Sequence, residues 1–102
     1  MAQFSVYRNP RPSARHAPYL LDVQSEVVNT GLRVVVPLVN AEYFGPCARR
    51  LNPLIEVSGS SYVLSPAEIG SLPLNVLGPA VASATTMRQE ILDALDFLIT
   101  GY

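Results

Sequence analysis

Tyr19-Leu20-Leu21-Asp22-Val23-Gln24-Ser25 runs on through Glu26-Val27-Val28 to Asn29-Thr30-Gly31, and Leu32-Arg33-Val34-Val35-Val36-Pro37-Leu38 follows. Two apolar, β-branched runs separated by a turn signal read as paired strands. The first is expected to extend from Tyr19 through Val28. The second is expected to be largely buried, with Pro37 at its end, because proline has no N–H to give a central ladder.

Upstream of this pair, Gln3-Phe4-Ser5-Val6-Tyr7-Arg8 alternates polar and apolar residues, the pattern of a half-buried strand near an edge. Asn9 to Pro18 carries three prolines with Arg11, Ser13, Arg15 and His16 and reads as a mobile, basic loop. Downstream, residues 40–50 are ambiguous, although Ala41–Phe44 fits a helical turn that Gly45-Pro46 would stop. Leu54–Val57 and Tyr62–Leu64 flank Ser58-Gly59-Ser60-Ser61 as a hairpin. Ser65-Pro66-Ala67-Glu68 has the residue order of a short helix start. Leu72–Leu77 reads as a short strand and Gly78–Thr85 as a loop of small residues.

The C-terminal segment gives the clearest signal. Thr86-Met87-Arg88-Gln89 fits a capping box, and Met87, Ile91, Ala94, Leu95 and Leu98 share a stripe about 100° wide on a helix. Gly101 suits the left-handed position after its end. The expected architecture is an antiparallel, mainly β domain closed by one C-terminal α-helix, over residues 1–102.

Composition limits the function. Hydrophobic residues make up 49% of the chain and charged residues 15%, against roughly 25% charged in an average globular protein. So few charges leave apolar surface to be covered by a partner or a second copy. The net charge of −1 lacks the basic excess of a protein that grips a phosphate backbone. All seven basic residues are arginines, each a planar fork suited to carboxylates. The start of the chain shows no signal-peptide pattern and no run approaches a membrane span, so a cytoplasmic protein is expected.

No residue pattern supports catalysis. The lone Cys47 reads as a packing residue, and the lone His16 lacks a partnered nucleophile and an orienting group. One histidine with one cysteine is too few for a metal site, and no glycine-rich phosphate loop is present. The expectation is a non-enzyme without cofactor or metal. Recognition features remain. Glu90, Asp93 and Asp96 form an acidic helix flank, either solvated or a docking face for a basic partner. Asp96, near the helix C-terminus, opposes the macrodipole. Leu92, Phe97 and Ile99 lie off the main stripe and either widen the sheet contact or join an interface. Arg8, Arg11 and Arg15 serve solubility or meet an acidic, disordered partner.

In this setting the chain resembles the CcdB family, the toxins of type II toxin–antitoxin modules. The resemblance rests on Asp22-Val23-Gln24-Ser25 followed by Glu26-Val27-Val28, on Val36-Pro37-Leu38, on Ser71-Leu72-Pro73-Leu74, and on the ending from Ile91 to Gly101. It implies a homodimer with an SH3-like, β-barrel-like core. It implies a protein that binds the A subunit of DNA gyrase and traps the cleaved gyrase–DNA complex without chemistry of its own. A CcdA-like antitoxin would neutralise the toxin and, with it, repress their operon, so that operator DNA is met only through the antitoxin complex. The gyrase-binding positions by resemblance are Val27, Val28, Asp96, Thr100, Gly101 and Tyr102, and the loop arginines Arg8, Arg11 and Arg15 are the expected antitoxin contacts. Asp96 stands where the family has asparagine, Thr100 where its best-known members have tryptophan, and Tyr102 where they have isoleucine. Tyr102 or Asp96 is then expected to supply the arginine contact of the missing tryptophan. Other readings of the same chain are an RNA-cleaving toxin of the MazF kind and a non-toxic interaction module.

Overall fold

In a computed structural model of the chain, residues 3–101 are described. The strands are β1 (Ser5–Arg8), β2 (Tyr19–Asp22), β3 (Leu32–Asn40), β4 (Leu54–Val57), β5 (Ser60–Leu64), β6 (Gly70–Pro73) and β7 (Ala82–Ser83). Two α-helices, α1 (Ala41–Phe44) and α2 (Arg88–Thr100), and four 3-10 turns complete the described residues. The strands form one antiparallel sheet in the order β4-β5-β3-β2-β1-β7, with β6 paired to β3. The sheet curls into a nearly closed barrel. The mainly β architecture with a C-terminal helix is therefore the one read from the sequence.

β3 is nine residues long and meets two partners along one edge. Leu32 to Val35 pair with β6, and Leu38 to Asn40 pair with β5. Pro37 lies inside this strand, not at its end as the sequence suggested. Its carbonyl accepts the Ser65 N–H at 3.1 Å on that same edge, so the donor that proline lacks would fall in the interval between the two ladders.

Two apolar layers explain the burial. Phe4, Val6, Leu21, Val36, Leu38, Ile55, Val57 and Leu64 form the main core with Ile91 and Ala94 of α2. Tyr7, Leu20, Val35 and Leu77 form a second cluster. Since successive strand residues point to opposite faces, β1 sends Val6 to one cluster and Tyr7 to the other. β1 is thus buried on both faces and lies between β2 and β7, which corrects the half-buried edge strand expected of it.

Several boundaries also differ from the sequence reading. β2 ends at Asp22, and residues 25–28 make a turn instead of extending the strand. The hairpin loop is only Ser58-Gly59, both at positive φ, because Ser60 already pairs with Val57. β6 occupies residues 70–73 and a 3-10 turn takes Leu74–Val76, so the expected strand over Leu72–Leu77 is only half right. Ala82-Ser83 of the expected loop pairs with β1. Within Asn9–Pro18, Pro12–Arg15 wind into a 3-10 turn anchored by the buried Asn9, whose Nδ2 donates to the Ala17 carbonyl at 2.8 Å.

α2 is 13 residues long and ends where expected, but it does not start as expected. A 3-10 turn over Thr85–Met87 leads into it, and no side chain caps it. Ser83 Oγ and Thr85 Oγ1 bond each other at 2.6 Å where the sequence suggested a capping box at Thr86. Ile91 and Ala94 are fully buried, with Met87, Leu92 and Leu95 packed beside them, whereas Leu98 is exposed. Gly101 ends the helix at φ +78, donating its N–H to the Phe97 carbonyl at 2.9 Å.

Candidate functional site

The site begins with the chain's departure from β2. Asp22 is fully buried, and its carboxylate accepts Arg33 Nε at 2.8 Å and Arg33 Nη2 at 3.0 Å. Its Oδ1 also accepts the Gln24 N–H at 3.0 Å, which turns the backbone away from the strand direction. Arg33 Nη2 reaches the Gln24 carbonyl at 3.2 Å. A buried, bidentate ion pair thus fixes the stretch that the sequence reading extended as strand.

Gln24 continues the bracing. Its Oε1 accepts the Val34 N–H at 2.9 Å, and its Nε2 donates to the Val28 carbonyl at 2.8 Å. Ser25 closes the turn: its carbonyl accepts the Val28 N–H at 3.1 Å, and its Oγ accepts the Val27 N–H at 3.3 Å. The turn holds two apolar side chains in solvent, Val27 at 90% and Val28 at 47% exposure. An exposed β-branched pair on a hydrogen-bonded turn offers a contact surface whose ordering cost is already met by the fold.

Near the pair, the buried Tyr7 has a pKa raised above the usual tyrosine range. Burial is the main cause, and Asp22 adds to it; a hydrogen bond to Ser5 and the Arg33 charge act in the opposite direction. The folded state therefore holds this proton more firmly than the unfolded chain. Stability is expected to be intact below about pH 10 and to fall as pH rises through Tyr7's own value. Melting curves across that range are expected to show the decline, with a shallower one for Tyr7→Phe.

Of the other positions implied by the resemblance, Asp96, Thr100 and Gly101 lie at the end of α2. Asp96 and Thr100 are both exposed, and Thr100 Oγ1 donates to the Asp96 carbonyl at 2.8 Å. Beside them Ile99 is 80% exposed, and Phe97 is half-buried under Arg50, whose Cζ stands 4.8 Å from the ring centroid. Of the three residues off the main stripe, Leu92 packs on the core, Phe97 is covered by an arginine, and Ile99 faces solvent. Tyr102 lies outside the described residues.

The two groups are anchored apart. Glu26 accepts the Gln3 N–H at 3.4 Å, and Gln3 Oε1 accepts Arg88 Nη1 at 3.5 Å, which ties the Val27 turn toward the first residue of α2. Asp96, Thr100 and Gly101 lie toward its other end, with Gly101 about 20 Å along the helix axis from Arg88.

The loop arginines lie off the opposite end of β2 from the Val27 turn. Arg11 bonds Asn9 Oδ1 through both its N–H and its Nε, at 3.0 and 3.3 Å. Arg8 and Arg15 are exposed. His16 stacks on Tyr43 of α1, ring centroids 3.6 Å apart, which ties this loop to the segment after β3.

Sequence reasoning missed three residues that shape these surfaces. Gln24 and Arg33 were visible only as members of a motif and a strand. Arg50 carries no local signal, since its partner Phe97 is distant in sequence. Among the described residues no group of three or more His, Cys, Asp or Glu side chains is placed to hold a metal ion, and no helix is long and apolar enough to cross a membrane.

The comparison with known families covers almost the whole chain. Residues 3–101 match the model described as CcdB protein, so the chain belongs to the CcdB family and, with it, to the toxins of toxin–antitoxin systems.

Proposed function

We propose that this protein is a toxin that binds the A subunit of DNA gyrase, traps the cleaved gyrase–DNA complex and so blocks replication, with no chemistry of its own. The observation that carries the reading is the Val27–Val28 turn: an apolar pair held in solvent by a hydrogen bond from the buried Gln24, in a chain of the CcdB family. Val27 and Val28 supply an apolar contact. Asp96, Thr100, Gly101 and Tyr102 supply a small, acidic helix end that fits a basic groove. Thr100 is too small to stack on an arginine, so the carboxylate of Asp96 or the ring of Tyr102 takes that contact.

The toxin acts as a cytoplasmic homodimer, which matches the two-fold symmetry of a dimeric gyrase A subunit. Arg8, Arg11 and Arg15 dock an acidic, CcdA-like antitoxin that folds on binding, and the pair together represses its operon. The charge-poor surface and the exposed Val27 and Ile99 support a protein that works through partners. Controlled expression in a host with a sensitive gyrase tests this. Growth arrest with DNA breaks, relieved by the antitoxin or by a resistant gyrase A subunit, is the expected result. Arrest with intact DNA and cleaved mRNA would favour an RNA-cleaving toxin instead.

A further inference from the structure

One side chain ties the turn that carries Val27 and Val28 to β3. Gln24 is buried, and its amide spans two elements: the oxygen takes the Val34 N–H of β3 at 2.9 Å, and the nitrogen gives its proton to the Val28 carbonyl at 2.8 Å. No other hydrogen bond joins the turn's own backbone, residues 25–28, to β3 among the described residues. The ion pair behind it fixes where Gln24 starts, since Asp22 takes the Gln24 N–H and Arg33 the Gln24 carbonyl. We infer that Gln24 is the positioning residue of the partner-binding turn: it touches no partner, and it sets the direction in which Val27 and Val28 are presented. The inference rests on the gyrase reading for its consequence, but not for its geometry.

The chemistry separates two roles of the amide. In Gln24→Glu the carboxylate still accepts the Val34 N–H, yet it has no proton to offer the Val28 carbonyl and repels it. The strand anchor survives and the clamp is lost. Gln24→Met removes both bonds while keeping volume. An alteration of overall stability would loosen Val34 and the turn together, whereas a lost clamp loosens the turn alone.

Amide hydrogen exchange and a gyrase cleavage titration on the same variants decide the matter. For Gln24→Glu the expected result is exchange at Val27 and Val28 faster by about five- to tenfold, with Val34 as protected as in the parent. The toxin concentration giving half-maximal linear DNA should rise by a similar factor. For Gln24→Met the Val34 amide should also lose protection. Unchanged exchange at Val27 and Val28 in both variants would overturn the inference, as would full potency in a variant whose turn exchanges faster. If the parent chain yields no linear DNA, the gyrase reading fails by itself, and the exchange pattern still decides whether Gln24 holds the turn.

Discussion

Replacing Arg33 with methionine is expected to lower the unfolding free energy by about 3–5 kcal/mol, the cost of leaving a buried charge without its partner. Asp22 is fully buried and Arg33 is 5% exposed, so water is poorly placed to replace the lost guanidinium. Of the donors Arg33 Nε, Arg33 Nη2 and the Gln24 N–H, the carboxylate would keep the last, at 3.0 Å. In a domain of this size such a loss is a large share of the whole stability. Urea unfolding of the parent and the variant measures it. The double change Asp22→Leu with Arg33→Met should lose less than Arg33→Met alone, because it removes the stranded charge along with its partner. A loss below about 1 kcal/mol for the single variant would mean that water reaches Asp22 after all.

Val27→Asp is expected to act on function and not on folding. Val27 is 90% exposed, so the melting temperature should stay close to the parent's, as for most surface changes. In the gyrase-bound state the same side chain is buried against the partner on the proposed reading. A carboxylate there is desolvated without a matching cation, and truncating or charging a central contact costs at least about 2 kcal/mol, or about thirtyfold. The concentration for half-maximal DNA cleavage should therefore rise about thirtyfold or more. Ile99→Asp is the informative companion, since Ile99 is also exposed but lies at the helix end. An equal loss there would mean that the helix end contributes an apolar contact as well as a polar one.

The parts of the fold with a clear period were legible in the sequence. α2 shows its apolar stripe and the Gly101 stop, and β3 shows its β-branched run. The misreadings share one cause, the influence of distant residues. Glu26-Val27-Val28 continues a strand pattern, yet the buried Asp22–Arg33 pair and Gln24 bend the chain there, so β2 stops at Asp22. Pro37 looked like a strand end because local reasoning assigns it a missing ladder bond. In the fold it lies where β3 changes partners, so little is lost. The capping box at Thr86 failed because Ala82-Ser83 joins the sheet and the chain enters α2 through a 3-10 turn. For the candidate site, family resemblance named Val27, Val28 and the helix end. Periodicity alone places the two valines at the end of a strand, not on an exposed turn.

Gyrase poisoning is best measured with purified gyrase from a susceptible host, supercoiled plasmid and ATP, with and without this protein, followed by detergent and protease. Linear DNA is expected to accumulate with the parent chain and to be strongly reduced with Val27→Asp. Supercoiling that proceeds to completion with no linear DNA, at protein concentrations well above that of gyrase, would contradict it.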